Sequence, residues 1–171
     1  MNANHGLSAA QIIDLLGLEP LPQEGGYFRE THRSNWSAPP SALPDAYGSE
    51  RPLGSAIYYL ITAYDCSRMH RLPGPELFHF YLGDPVEMLQ LHADGSGERV
   101  LVGNRLTDGT RPQVMVPGGS WQGARLVPGG EFALMGTTMS PGFDFADFES
   151  GDRETLTAGW PKHVELIEAL T

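Results

Sequence analysis

From residue 55 to residue 149 the chain is a series of short segments rich in aromatic and β-branched residues, interrupted by turn residues at roughly ten-residue intervals. The segments are "SAIYYLITA" (55–63), "ELFHFYL" (76–82), "VEMLQLH" (86–92), "RVLVG" (99–103), "PQVMV" (112–116), "SWQGARLV" (120–127), "EFALMGTTM" (131–139) and "FDFADFE" (143–149). Between them stand Gly83-Asp84-Pro85, Asp94-Gly95, Asp108-Gly109, Pro117-Gly118-Gly119 and Pro128-Gly129-Gly130. Short strands at this spacing form an all-β sandwich or a closed barrel. "GYFRETHRS" (26–34) alternates large and polar residues and adds an earlier strand. The two Pro-Gly-Gly turns lie eleven residues apart and read as successive hairpin corners. With 21 Gly and 14 Pro, the chain has many tight turns, as a β protein needs.

Three stretches fall outside this pattern. Ser8 followed by Gln11 makes a capping box, and Ile12, Ile13, Leu15, Leu16 and Leu18 give an apolar helical face. A helix over about residues 8–17 is expected, ended by Gly17 or at latest Pro20, and packed outside the main body. Residues 34–54, "SNWSAPPSALPDAYGSERPLG", form a Pro/Ser-rich loop long enough to be a lid or a partner-contacting arm. The tail, 151–171, carries "WPKHVELIEAL", which suits a short final helix. No domain boundary and no repeat is visible, so residues 1–171 read as one domain with its barrel over about 24–150.

The formal net charge of −10 argues against a nucleic-acid partner and against an anionic membrane surface, since both require clustered Lys and Arg. No run of about 18 apolar residues is present, and the N-terminus lacks the pattern of a signal peptide. A cytoplasmic protein is expected. The one cysteine, Cys66, excludes an intrachain disulfide and a cysteine-based zinc site, and reads as a small buried residue.

Chemistry concentrates in "MHRLPGPELFHFYLGDP" (69–85), where His70, Glu76 and His79 are all ligand types for a divalent transition metal. In a strand starting at Glu76, side chains alternate. Glu76, Phe78 and Phe80 then share one face, and His79 and Tyr81 take the other. His70 lies across the turn "RLPGP", so a neighbouring strand could bring it to Glu76. A lone His in a β-rich core is more often a hydrogen-bonded structural residue than a ligand. A carboxylate opening an apolar strand is harder to explain, because burying it without a partner is costly. Tyr58, Phe78, Phe80 and Trp121 are expected inside the barrel, where some could stack on a flat ligand. Asp144, Asp147 and Glu149 read as a solvated edge and not as a calcium loop.

Glu76, six residues and Gly83 match the second half of the first cupin motif, G-x5-H-x-H-x3,4-E-x6-G, and His70 falls on its first His. Leu72 occupies the second His position and Tyr64 the leading Gly position. "VPGGSWQGA" approaches the second motif, G-x5-P-x-G-x2-H-x3-N, with Gln122 where the third metal-binding His belongs. "EGGYFRET", "SAIYYLI", "SRMHRLPGPELFHFYLGDP", "VPGGSWQGARL" and "SPGFDFADFE" occur in the order found in one cupin branch, the fifth cupin family, long catalogued as a domain of unknown function. The chain resembles that branch over about residues 8–150. It departs at "PLPQEGG", where the family more often has His-Pro before Glu-Gly-Gly. The resemblance implies a jelly-roll barrel, usually dimeric, around a polar pocket, and no known reaction. "EGGYFRET" is also similar to a segment of deoxysugar epimerases, which would put Tyr27 and Glu30 beside the pocket.

The expectations are therefore these. The protein is a small-molecule-binding cupin and a homodimer, with isomerase-like or epimerase-like acid/base chemistry on a sugar or nucleotide derivative. His70 and Glu76 would be catalytic. Tyr27, Glu30, Tyr58, Phe78, Phe80, His79, Trp121 and Gln122 would contact the ligand. A divalent transition metal on His70, Glu76 and Gln122 defines the alternative of a metal-dependent oxygenase or isomerase. A non-catalytic ligand-binding or sensory module is the third reading.

Overall fold

The computed structural model describes residues 6–171. Helix α1, Ala9–Leu16, opens the fold; Ser8 and Gln11 form the capping box, and Gly17 in the left-handed conformation closes the helix. The strands follow. β1 is Glu19–Pro20, β2 Tyr27–Arg33, β3 Ser37–Ala38, β4 Arg51–Pro52 and β5 Ser55–Thr62. β6 is Ser67–Arg71, β7 Glu76–Gly83, β8 Val86–Leu91 and β9 Gly97–Val102. β10 is Gln113–Val116, β11 Trp121–Leu126, β12 Phe132–Met139 and β13 Glu149–Ser150. The chain finishes with α2, Arg153–Gly159, and α3, Val164–Ala169.

Two sheets carry the fold, in the orders β1-β2-β5-β12-β7-β10 and β13-β6-β11-β8-β9. From β5 to β12 the chain changes sheet at every connection except the β8–β9 hairpin. That crossing pattern is a jelly roll. The Pro-Gly-Gly turns therefore carry the chain between sheets, from β10 to β11 and from β11 to β12, and are not hairpin corners. Among the described residues the sheets face each other without a continuous ring of strand pairing, so of the sandwich and the closed barrel that the turn spacing allows, the fold is an open-sided sandwich, built as the jelly roll that the resemblance implies. An isolated bridge between Val102 and Arg111 brings the two sheets' edges together.

Alternation along each strand sorts the side chains into layers. Tyr59, Phe78, Phe80, Met88, Val114, Ala124 and Met135 fill the space between the sheets. On the outer face of the first sheet, Leu60, Phe132 and Leu134 are covered by Ile12 and Leu18. On the outer face of the second, Met69, Leu89, Leu91 and Trp121 are covered by Leu156, Leu166, Ile167 and Leu170. The tail is thus two helices where one was expected. The segment 143–149 is another correction. It forms a 3-10 turn over Phe145–Asp147 and only the two-residue β13, because the Asp144 side chain accepts from the Ala146 amide and turns the backbone.

The 34–54 loop is anchored to the body. Buried Arg51 donates from Nε to Asp147 Oδ2 at 2.7 Å. Tyr47 is buried against Gly74, where an added Cβ would meet its hydroxyl.

Candidate active site

β6 is the longest of the strands missing from the sequence reading, the others being the two-residue β1, β3 and β4, and it delivers His70. "SRMHR" contains no β-branched residue and hence little strand signal. Its pairing with β11 matches Gln122 to His70 and Ala124 to Ser67, so three steps on β6 span two on β11. This bulge turns both Ser67 and His70 toward the space between the sheets, although they are an odd number apart, while Met69 faces outward. Within the bulge the His70 ring lies 2.7 Å, through Nδ1, from the Arg68 carbonyl. A carbonyl only accepts, so Nδ1 carries a hydrogen, and in the neutral ring Nε2 is the free acceptor. The ring stacks on Phe148, centroids 5.0 Å apart and planes 14° apart.

Glu76 faces His70 from the other sheet, because the β6–β7 connection crosses between sheets; the two are not on neighbouring strands. Glu76 Oε2 accepts from Gln122 Nε2 at 2.7 Å. Burial pushes the Glu76 carboxyl above the usual range, and the charge of Glu24 raises it further. His70 and hydrogen bonds from Thr137 and Gln122 act the other way.

Glu24 was not singled out from the sequence, yet it completes the group. Its Oε1 accepts from Ser67 Oγ at 2.8 Å, and its Oε2 lies 3.9 Å from His70 Nε2. Two glycines put it there. Gly25 has φ 100° and sits so close to β6 that a Cβ would come within 2.4 Å of the Cys66 carbonyl. The Arg68 amide donates to the Glu24 carbonyl at 2.8 Å, and Tyr59 donates to that of Gly25 at 3.0 Å. A carboxylate directly before two glycines at the start of a strand was the available signal.

A cavity of about 270 Å³ opens from this group. Its floor is formed by buried Glu76 and Thr137 and partly buried Glu24, with Leu72 beside them. Phe28, Ile57, Met139 and Phe143 supply apolar walls. Glu30, Arg33 and Asp144 stand at the exposed mouth, where Arg33 Nη2 donates to Glu30 Oε2 at 2.6 Å. His70 and Gln122 are 1% and 2% exposed and stand behind the carboxyl groups, off the cavity wall.

The other expected ligand contacts lie elsewhere. Phe78 and Phe80 point between the sheets but belong to the packed core beyond the cavity. Tyr27 and Tyr58 sit on the outer face of the first sheet near α1, and Tyr58 meets Tyr81 edge-on at 6.2 Å. His79 is on that outer face too. It accepts at Nδ1 from Gln113 Nε2 at 3.3 Å and donates from Nε2 to Thr138 Oγ1 at 3.0 Å. Trp121 packs under the C-terminal helices, with the Arg71 guanidinium 4.6 Å from its ring centre. For Tyr27, Tyr58 and Trp121 the expectation of an inward side chain is corrected. Each is one residue out of phase with an inward neighbour: Phe28, Tyr59 or Gln122.

The donor set does not suit the transition metal expected on His70, Glu76 and Gln122. Leu72 gives no ligand, and Gln122 turns its amide N–H to Glu76. Among the described residues no three His, Cys, Asp or Glu side chains group as a metal would need.

Comparison with known proteins places this geometry. A family model described as cupin superfamily (DUF985) matches residues 10–151. An uncharacterized protein of Saccharomyces cerevisiae, YML079W, is 31% identical over 151 residues, which is 77% of this chain and 71% of that protein. The solved structure of a hypothetical protein from Leishmania major superposes with a TM-score of 0.87 at 30% identity, over 96% of this chain and 99% of that one. Oxalate decarboxylase from Lactobacillus farciminis, in a formate complex, gives a TM-score of 0.52 at 12% identity, over 92% of this chain and 42% of that one. This last likeness concerns the fold alone.

Proposed function

We propose, for a chain that belongs to the DUF985 family of the cupin superfamily, that it binds a small molecule between its sheets and moves a proton on it. The observation that carries this reading is Glu76, a buried carboxyl held above its usual range on the floor of a cavity, beside a second carboxyl, Glu24. A carboxyl held above its usual range beside a second carboxyl suits acid/base work. In this reading protonated Glu76 donates to an oxygen of the ligand, and Glu24 takes a proton from a neighbouring carbon. His70 is a positioning residue: its Nδ1–H is fixed on Arg68, and its Nε2 side faces Glu24. Leu72, Phe28 and Ile57 limit water around the pair.

Such chemistry is of the isomerase or epimerase kind on a small sugar-like molecule. A nucleotide fits less well, since Arg33, the cation of the cavity lining, is already paired with Glu30. The test is a metabolite panel run on the wild type, Glu76→Gln and Glu24→Gln, read for binding and for turnover. Turnover should fall about 10²- to 10⁴-fold in either variant. Unchanged binding and turnover in both would overturn the reading.

A homodimer belongs to the same proposal. Tyr81 and Met115 on the first sheet, together with Trp36 in the 34–54 loop, leave large apolar side chains exposed, which a second copy could cover. A monomer by light scattering at micromolar concentration would contradict it.

A further inference from the structure

The cavity differs in charge between its two ends, and the difference bears on what can enter. At the mouth Arg33 is spent: Nε and Nη2 donate to Glu30, and Nη1 donates to the Phe143 carbonyl at 3.0 Å. Asp144 stands beside it and accepts from the Ala146 amide. An incoming phosphate or carboxylate would meet Glu30, Asp144 and Glu24 and find no free cation in the lining.

On the floor, the Glu24 carboxylate keeps an acceptor oxygen to spare. Ser67 satisfies one oxygen of Glu24, and the other lies 3.9 Å from His70. Gln122 and Thr137 both donate to Glu76. A carboxylate oxygen with no close donor on the floor of an apolar cavity is costly, and a ligand that brings donors removes the cost. Between floor and mouth the walls are apolar.

We propose that the cavity selects a small primary amine in its ammonium form, with the cationic head on the Glu24 carboxylate and the Thr137 hydroxyl oxygen and an apolar body against Phe28, Ile57 and Met139. An ammonium brings three donors and a positive charge to the Glu24 carboxylate, and the cavity volume of about 270 Å³ suits a body of one ring. The inference rests on the reading of Glu24 and Glu76 as the floor pair, and it narrows the ligand from any polar molecule to one bearing a positive head.

The test is calorimetric titration of the full chain with benzylamine, benzyl alcohol and benzoate at neutral pH. Benzylamine should bind about tenfold more tightly than benzyl alcohol, as hydrogen bonds to a charged head allow. Benzoate should not bind detectably. Glu24→Gln should weaken benzylamine about tenfold and so remove most of its advantage over benzyl alcohol. Arg33→Gln, which alters only the mouth, should not let benzoate in. Equal binding of amine and alcohol would overturn the amine while leaving a ligand-binding cavity in place. Benzoate binding that Arg33→Gln abolishes would overturn it in favour of an anion site at the mouth. If none of the three binds, the amine proposal fails, and the metabolite panel with Glu76→Gln decides the wider reading on its own.

Discussion

At Glu76, burial and the neighbouring Glu24 act in the same direction, and both favour the protonated carboxyl. A raised pKa in the folded state means that the native protein holds a proton which the unfolded chain gives up first. The stability gained from that proton is full below the ordinary value of 4.5 and is lost as pH rises toward the raised value. Glu76→Gln keeps the bond from Gln122 and removes the ionisation. Its melting temperature should therefore match the wild type at low pH and exceed it at neutral pH, a comparison that thermal unfolding at two pH values makes directly. His70, Glu76 and Gln122 were legible in the sequence because they sit at fixed offsets within recognisable motifs. Glu24 and Thr137 were not, because a loop and a strand distant in sequence bring them in. Tyr27, Tyr58 and Trp121 were misplaced for a simpler reason. An aromatic strand covered by helices on its outside and packed on its inside is apolar on both faces, so its phase cannot be read from composition.

Elements were readable where turns punctuate them and unreadable where geometry departs from regular pairing. The strands from β7 to β12 lie where turn residues and apolar runs put them. β6 escaped notice, and its bulge is what aims Ser67 and His70 together. The loop before β2 matters as much. Gly25→Ala would force a side chain against the Cys66 carbonyl at a left-handed φ, which costs about 1–3 kcal/mol and moves Glu24 off Ser67. Chemical denaturation should show the loss of stability, and ligand titration a loss of affinity beyond what Ser67→Ala causes. The N-terminal helix offers a separate check. Ser8→Ala removes the side-chain half of its capping box and should cost about 1 kcal/mol without touching ligand binding.

At the scale of the molecule, the jelly roll explains how one short turn makes a site. β6 and β7 are consecutive but lie in opposite sheets, so His70 and Glu76, six residues apart, confront each other across the interior. Turn spacing gave the β class, and motif resemblance gave the jelly roll; that the Pro-Gly-Gly turns cross between sheets was in neither. The anchoring of the 34–54 loop was also hidden, since Arg51 and Asp147 are 96 positions apart. Arg51→Ala would leave the largely buried Asp147 unpaired and should cost about 3–5 kcal/mol in denaturant unfolding. The central claim is that Glu76 sits beside Glu24 on the cavity floor with its carboxyl held above the usual range. It is tested most directly by following every glutamate side-chain carboxyl through a pH titration by ¹³C NMR. One carboxyl should titrate above the others, disappear in Glu76→Gln and move down in Glu24→Gln. Glutamates that all titrate together in the ordinary range, or a displaced carboxyl that persists in Glu76→Gln, would contradict the account.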